Sequence, residues 1–426
     1  GAAFGLVPAL ERPRSSALAA RAIGARKKAL LRRALVVAQI AFSTILLCGA
    51  GLLVRSFQNI EDQDLGFRSQ GVITTEIALP WFRYNTGQKQ MDFYLSAEKA
   101  VRREPGIRAV AITDSVPPGG WHGGIRFSDL ATEHNPHPVP GTGGIVITRR
   151  ITPDYFQALD IPIVRGRGFS EEDRASSQPL VVLSRLLAAR LFPEEDPVGQ
   201  RIQTIGVDGG IWYTVVGVAD DAKNSGLTEQ DEPEMYFLRR NFVSDWNGRM
   251  PMLLIDSVLP ADSVMPWIRS QFASMDPTVP VEMTTLTQTI RSLAARPLFE
   301  TTLLSFFAFI GLVVAIIGLY GVIAFLAAQR TQEIGLRIAL GAGRLDILRL
   351  VLREGLRLTA FGAGIGLTAA FAFSRVLKAL LYRVASHDPL SFVLVTVLLV
   401  LVALVATLIP ARSAMNTDPM TALRVE

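Results

Sequence analysis

The sequence predicts a membrane protein with four transmembrane helices and a large extracytoplasmic α+β domain of two lobes. Three observations lead to this fold class. Four runs without a charged residue are about as long as a bilayer span. The stretch between the first two runs is rich in Pro, Gly and Asp and contains all five tryptophans. A mean hydropathy of +0.32 with 19% charged residues is too apolar for an ordinary soluble protein and too charged for a chain wholly within the membrane.

The charge distribution indicates membrane orientation. The chain has a formal net charge of +5 and a pI near 9.5, and much of the basic excess lies beside the apolar runs. Lys and Arg in that position mark the cytoplasmic side, so we interpret them as orientation signals before nucleic-acid contacts. The single cysteine, Cys48, lies within an apolar run, so no disulfide can form within the chain.

The first part of the chain contains a basic linker and one span. Residues 1–14 include Val7-Pro8-Ala9, which is followed by charged residues. This order matches Ile409-Pro410-Ala411-Arg412 at the end of the last apolar run. This match predicts an internal duplication, with residues 1–14 as the remnant of the last helix of a preceding unit, although chance similarity is the alternative. Residues 15–33 are then a cytoplasmic basic linker, and residues 34–56 are the first transmembrane helix. A nucleic-acid-binding tail competes with this interpretation, and the adjoining span argues against it.

Residues 57–296 form the predicted extracytoplasmic domain. Its two ends each read as strand, helix, strand, which together make the split β-α-β pattern of a ferredoxin-like layer. The strands are predicted at 71–79, 108–116, 252–258 and 279–283, and the helices at 88–103 and 260–275. An inserted β-rich lobe at about 117–241 separates the two halves. Its predicted strands are 145–151, 180–183 and 213–218, with a short helix at 184–192.

The rest of the chain returns to the membrane. The uncharged run before residue 330 is longer than a bilayer core needs, so part of it should project outward as a stalk. The basic segment that follows is predicted to be cytoplasmic. The predicted parts are the second span with its stalk at 297–329, a cytoplasmic coupling loop at 330–357, a third span at 358–376, an outer loop at 377–388, a fourth span at 389–411 and a cytoplasmic tail at 412–426.

A short polar and basic segment within the cytoplasmic loop can fold as an amphipathic helix. Glu333 precedes Arg337 by four residues, which is the favourable helical order for an ion pair, and Gly341 can end the helix. A short helix held between two spans is a surface that an outside partner can push, and a solvated connector is the plain alternative. The predicted coupling residues are Gln332, Glu333, Ile334, Gly335, Leu336, Arg337, Ala339, Leu340, Gly341 and Ala342.

No set of residues predicts an enzyme, a cofactor site or a metal site. Gly364, Gly366 and Ala369 fit a dinucleotide-binding string, but they lie in a membrane run with no strand before them, so close helix packing explains them better. No Gly-Lys-Ser or Gly-Lys-Thr string occurs, so we expect ATP to be bound by another polypeptide. We interpret three further features as lying on the surface: His134, His137 and the helix start Glu171-Glu172-Asp173.

Several strings carry a family resemblance. They are Gln332 through Ala342, Pro410-Ala411-Arg412, Asp418-Pro419-Met420-Thr421-Ala422-Leu423-Arg424, Thr152-Pro153-Asp154-Tyr155-Phe156, Gly166-Arg167-Gly168-Phe169, Phe192-Pro193, Asp196-Pro197-Val198-Gly199 and Val215-Val216-Gly217-Val218. On these strings the chain resembles the MacB/FtsX superfamily of ABC transporter permeases. Because of residues 1–14, it is most similar to the C-terminal unit of a duplicated orphan permease of acidobacterial type.

The resemblance implies mechanotransmission in the bacterial inner membrane. In such systems a dimer of separate ABC ATPase subunits closes under the coupling helix, and the first two spans carry the motion to the outer domain. The implied partners are that ATPase, a second permease unit as homodimer or upstream repeat, and in some systems a periplasmic adaptor. Orphan members lack a fused ATPase, which leaves their coupling to one open.

Three functions are compatible with these features. The first is the permease subunit of an efflux or extracytoplasmic transport system. The second is a cell-envelope signalling subunit that regulates an extracytoplasmic partner, and the third is a membrane-anchored binding protein without ATP coupling. The two-lobed outer domain favours the first function over the second, and the intact coupling string weakens the third.

Overall fold

The structure, a computed structural model, describes residues 18–119, 123–136, 143–205, 210–240, 251–330, 343–377, 381–382, 384 and 388–415. The predicted remnant helix at 1–14 and most of the tail at 412–426 lie outside the described residues. The chain divides into two compact units. The membrane unit comprises Gly1–Asn59 and Pro297–Glu426, and the outer unit comprises Ile60–Arg296.

The described helices and strands have the following bounds. The helices are α1 Leu18–Glu61, α2 Gly87–Arg102, α3 Tyr155–Leu159, α4 Glu171–Ala175, α5 Arg185–Leu191, α6 Ala261–Met275, α7 Leu286–Gln329, α8 Arg344–Leu377 and α9 Pro389–Met415. The strands are β1 Val72–Ile77, β2 Ile107–Thr113, β3 Gly123–Arg126, β4 Leu130–Thr132, β5 Ile145–Ile151, β6 Ile163–Gly166, β7 Leu180–Ser184, β8 Arg201–Thr204, β9 Trp212–Ala219, β10 Glu234–Leu238, β11 Met252–Ser257 and β12 Val281–Thr285.

Helices α1, α7, α8 and α9 are long and apolar enough to cross a membrane. Over the described residues the four candidate spans are Leu30–Glu61, Leu286–Gln329, Leu345–Arg375 and Pro389–Arg412. Each of the four helices contributes to one buried cluster, which contains Val36, Ile40, Ala315, Leu319, Val322, Ile323, Val351, Leu358, Ala403, Ala406 and Ala411. The fold class expected from the sequence is therefore confirmed for the membrane part.

The two ends of the outer unit form the predicted split lobe. Its strands follow the order β12-β1-β11-β2, and each neighbouring pair is antiparallel. This order places β11 between β1 and β2, as two β-α-β halves require when they interleave. Helices α2 and α6 cover one face of the lobe, where Phe93, Tyr94, Ile268 and Phe272 pack against the strands.

The inserted lobe continues the same sheet. Its order is β5-β10-β7-β9-β8-β4, with β3 on β5 and β6 on β9, and the pairs β5/β10 and β7/β9 are parallel. The two lobes join where Thr113 of β2 pairs with Ile151 of β5, which makes one twelve-stranded sheet. The sequence predicted two lobes but not the sheet they share, because pairing between distant strands leaves no local signal.

Some predicted strands shift or end early. The last strand of the split lobe is Val281–Thr285 and not 279–283, because Val279 still closes a turn onto the Asp276 carbonyl at 3.2 Å. Strand β2 ends at Thr113 and not at residue 116, because the Thr113 hydroxyl donates to the Ser115 carbonyl at 2.8 Å and turns the chain. The strands that were missed, β3, β4, β6, β8 and β10, have three to five residues each and show little alternation.

Candidate functional site

The predicted coupling helix, Gln332–Ala342, lies outside the described residues, and the structure describes its two attachments. The Arg330 N–H donates to two carbonyls in the last turn of α7, both at 3.2 Å. Before α8, the Asp346 carboxylate accepts from the Gly343 N–H at 3.2 Å, and the Asp346 N–H donates to the Gly343 carbonyl at 3.0 Å. This reciprocal pair satisfies donors at the start of α8, so the coupling segment connects two hydrogen-bonded helix ends.

Helices α1, α7 and α8 are linked at this end of the membrane unit. Arg33 of α1 forms an ion pair with Glu354 of α8 at 2.9 Å. The Arg32 guanidinium lies 4.2 Å from the ring centroid of Phe325 on α7, within cation–π range. A small cavity of about 20 Å³ lies between α7 and α8. It is lined by Ile323, Leu326, Ala327, Arg330, Leu350, Val351 and Glu354. The last turns of α7 and the first turns of α8 are therefore packed against α1 and against each other.

Two glycines of α8 bring it close to α1. A Cβ atom at Gly362 would lie 2.7 Å from the Ile40 side chain, and one at Gly366 would lie 2.5 Å from the Thr44 Cβ. A Cβ at Gly364 would meet nothing within 4 Å. The expected close helix packing is thus confirmed for Gly366 and wrong for Gly364. Sequence reasoning missed Gly362, although its spacing of four residues from Gly366 is the signal for such a contact.

The opposite end of the membrane unit has its own polar links. Arg55 of α1 forms an ion pair with Asp388, directly before α9. Asp388 also accepts from the Ser391 hydroxyl at 2.7 Å. The Ser56 hydroxyl accepts from the Tyr382 backbone N–H at 2.8 Å. These contacts tie α1 to the segment that leads into α9.

The outer unit contains a cavity of about 630 Å³ on the split lobe. Carboxylates, hydroxyls and apolar side chains line it together, including Thr74, Glu76, Asp114, Ser115, Met252, Glu282 and Thr284. These residues come from β1, β11, β12 and the turn after β2, which are far apart in the chain. The sequence predicted that these strands share one layer, but not that these side chains line a cavity.

A buried polar cluster lies behind this cavity. The Arg149 Nε donates to the Glu234 Oε1 at 2.6 Å, and its Nη1 donates to the Ser115 Oγ at 2.8 Å. Asp114 lies 4.0 Å from the Arg239 guanidinium. Burial raises the pKa of Asp114, while the guanidiniums of Arg239 and Arg149 oppose the rise. The cluster connects the inserted lobe to the cavity wall through Ser115.

Of the residues that the sequence predicted to lie on the surface, some are exposed and one is not. The His134 side chain is 67% exposed and faces Glu195 at 3.5 Å, and His137 lies outside the described residues. Helix α4 begins at Glu171, but Asp173 is not solvated as expected, because it is buried and paired with Arg167. In the part of the chain that the structure describes, no group of three or more His, Cys, Asp or Glu residues could hold a metal ion.

Two family models match this chain. The model of the MacB-like periplasmic core domain matches residues 34–258, and that of the FtsX-like permease C-terminal region matches residues 305–419. The first match alone covers more than half of the chain, and the two together include the first span, most of the outer unit and the other three spans.

Curated relatives are longer than this chain. It is 27% identical over 289 residues to the macrolide export ATP-binding/permease protein MacB of Marinobacter nauticus. The matched region covers 62% of this chain and 41% of that protein. It is also 26% identical over 362 residues to the probable syringafactin export ATP-binding/permease protein SyfD of Pseudomonas syringae pv. tomato. This match covers 79% of this chain and 51% of that protein. The chain therefore spans about half, or less, of the length of these relatives.

The periplasmic region of MacB from Actinobacillus actinomycetemcomitans is among the similar solved structures. It is 13% identical, covers 55% of this chain and 98% of that region, and gives a TM-score of 0.36.

Proposed function

Because this chain belongs to the MacB-like and FtsX-like family of ABC-type export permeases, we propose that it transmits the motion of a separate ATPase to its own outer domain. The chain is a multi-pass protein of the bacterial inner membrane, with its large domain on the extracytoplasmic side. Helix α7 leads from the extracytoplasmic domain across the membrane once, so its end at Gln329 is on the cytoplasmic side. The start of α8 at Arg344 is then on the same side.

The continuity of α7 is the observation that carries this proposal. This helix extends from Leu286 to Gln329. The Leu286 side chain is fully buried in the core of the outer unit, and Gln329 lies three residues before the predicted coupling helix. The backbone hydrogen bonds of α7 continue on both sides of Pro297, which has no N–H to donate, so a displacement can be carried along one helical element that is least stiff at Pro297. The coupling segment and the outer unit are therefore linked by one regular element.

Packing at the cytoplasmic end supports the same role. Displacement at Arg330 or Gly343 is passed to α1 through the Arg33–Glu354 ion pair and the Arg32 contact with Phe325. Close-packed interfaces of this kind change by discrete steps and do not deform freely. A push on the coupling segment would thus move several helices together.

The partners are also part of the proposal. The relatives' names join an ATP-binding and a permease function. We propose that a separate ABC ATPase subunit binds ATP for this chain, with a second permease unit beside it and a periplasmic adaptor as a further partner. The cargo belongs to the class of exported molecules. We propose no catalytic role for the chain itself.

Substitution in the coupling helix tests this function. A tryptophan at Gly335 should block close approach of the ATPase, because a small residue permits near contact and a large one excludes it. We expect Gly335→Trp to insert normally and to keep the far-ultraviolet circular dichroism spectrum of the wild type, while stimulation of the copurified ATPase is abolished. Gly364→Trp is the matched control, since a Cβ there meets nothing within 4 Å and Gly364 is exposed on α8.

Each outcome of this experiment separates the candidate functions. Normal ATPase stimulation by Gly335→Trp would show that no partner docks on the segment. The function would then be that of a membrane-anchored binding protein, which the 630 Å³ cavity of the outer unit favours. Failure of Gly335→Trp to insert, with normal insertion of Gly364→Trp, would give the segment a structural role and support the solvated connector.

A further inference from the structure

Three arginines form an exposed ridge on the cytoplasmic part of α8. Arg349, Arg353 and Arg357 recur every four residues, and all three side chains are exposed. Residues at this spacing are neighbours on a helix surface, so their guanidinium groups project from one face. Within the described part of the chain, none of the three makes an ion pair or a hydrogen bond to a side chain.

The nearby carboxylates are engaged elsewhere. Glu354 lies between Arg353 and Arg357 in the sequence, and its carboxylate pairs with Arg33 of α1 at 2.9 Å. Asp346 lies one turn before Arg349, but its carboxylate accepts from the Gly343 N–H at the start of α8. The arginine ridge therefore keeps its positive charge in spite of two acids in the same helix.

The ridge continues into the membrane as an apolar surface. The next residues in this row are Phe361 and Ile365, with 67% and 56% of their surfaces exposed. The row turns about 40° around the helix at each step, so Phe361 lies beside Arg357 and Ile365 follows Phe361. The charge-free run of α8 begins at Leu358, so Arg357 lies at the edge of the hydrocarbon core. At about 1.5 Å per residue, Arg353 lies about 6 Å farther out, which is the depth of the lipid headgroup layer.

We propose that this face of α8 binds an anionic phospholipid of the inner leaflet. The phosphate accepts hydrogen bonds from Arg353 and Arg357, and Arg349 adds attraction at the outer edge of the headgroup layer. A guanidinium group suits this task because its planar N–H donors match two phosphate oxygens at once. An acyl chain of the same lipid lies along Phe361 and Ile365. Charge complementarity on the headgroup side and apolar contact below it specify a lipid and not a free phosphate.

Lipid binding by the purified full-length chain tests this inference. Native mass spectrometry is performed with equimolar phosphatidylglycerol and phosphatidylcholine, and the wild-type chain should retain phosphatidylglycerol preferentially. Each arginine near an anionic headgroup contributes about a 5-fold gain in affinity, so the R353Q/R357Q variant should bind phosphatidylglycerol about 30-fold more weakly. Its affinity for phosphatidylcholine should not change.

Two further variants make the result specific. R375Q removes an exposed arginine from the other end of α8 and should leave both affinities unchanged. R353K/R357K keeps the charge and should recover most of the preference. Equal retention of the two lipids by the wild type, or unchanged phosphatidylglycerol binding by R353Q/R357Q, overturns the proposal. If that variant keeps its lipid and loses a copurifying ATPase, the ridge is a protein-docking surface.

Discussion

Arg149 and Glu234 form an ion pair in the interior of the outer unit, with 0% and 2% of their side chains exposed and 2.6 Å between Nε and Oε1. Arg149 lies on β5 and Glu234 on β10, which are parallel neighbours. The Tyr236 hydroxyl and the Asn224 amide donate to the other Glu234 oxygen at 3.0 and 3.2 Å. Both charges are therefore compensated inside the inserted lobe, where either one alone would be costly.

Removal of one member of this pair should destabilise the outer unit strongly. In Arg149→Met the Glu234 carboxylate stays buried without its cation, and we expect a loss of about 3–5 kcal/mol in the free energy of unfolding. Urea denaturation followed by tryptophan emission measures it, because all five tryptophans lie in the outer domain. The double variant Arg149→Met/Glu234→Met should regain part of the loss. A single variant as stable as the wild type would contradict this account.

The contact between α1 and α8 should tolerate no side chain at Gly366. The Thr44 Cβ and the Ala41 carbonyl oxygen lie 2.5 and 2.7 Å from the position of an added Cβ, so Gly366→Val must separate the helices. We expect a destabilisation of about 1–3 kcal/mol, seen as a lower Tm of the solubilised protein. Thiol labelling of Cys48 reports unfolding, because this single cysteine is 1% exposed.

Gly364→Val is the control for that experiment. Gly364 lies two residues away on the same helix, and a Cβ added there would meet nothing within 4 Å. Its Tm should equal that of the wild type within error. Equal Tm values for both variants would show that α1 and α8 do not pack through Gly366.

Asp173 should make the stability of the outer unit depend on acid pH. The hydrogen bond from Arg167 holds the pKa of Asp173 below its usual value of 3.8, assisted by the backbone N–H of Ser170. A lowered folded-state pKa stabilises the protein above the unfolded value, and this contribution disappears as the pH falls below 3.8. Asp173→Asn should therefore cost about 1 kcal/mol at neutral pH and nothing well below pH 3.8.

Equilibrium unfolding at several pH values measures this difference. Glu172→Gln is the control, since Glu172 is an exposed neighbour in the same helix turn. It should follow the wild type at every pH. A constant difference between Asp173→Asn and the wild type across the acid range would exclude the linkage to Asp173.

The topology can be measured by labelling from outside the cell. In a background with Cys48→Ala, a cysteine at Ser177 should react with an impermeant maleimide, because Ser177 is exposed in the extracytoplasmic unit. A cysteine at Leu345 should react only after the cells are opened, although its side chain is 65% exposed, because α8 begins on the cytoplasmic side. Labelling at residue 345 in intact cells would refute this topology.

The local patterns of the sequence were sufficient for the spans and for much of the outer unit. Charge-free runs predicted the four membrane helices, because a bilayer requires about twenty apolar residues wherever a helix crosses it. Period-two alternation and turn residues predicted β1, β2, β5, β7, β9 and β11 within a few residues. The coupling residues Gln332 to Ala342 are still a prediction from the sequence and its resemblance to a family.

Only the tertiary structure decided which distant residues meet. Arg149 and Glu234 are 85 positions apart, and nothing in either neighbourhood indicates that one neutralises the other. Likewise, the sequence shows acids beside the arginines of α8, and only the packing of α1 shows that Glu354 pairs with Arg33 and, within the described residues, not with Arg353. Periodicity and charge act over a few residues, whereas ion pairs, cavities and exposed faces depend on which elements pack together.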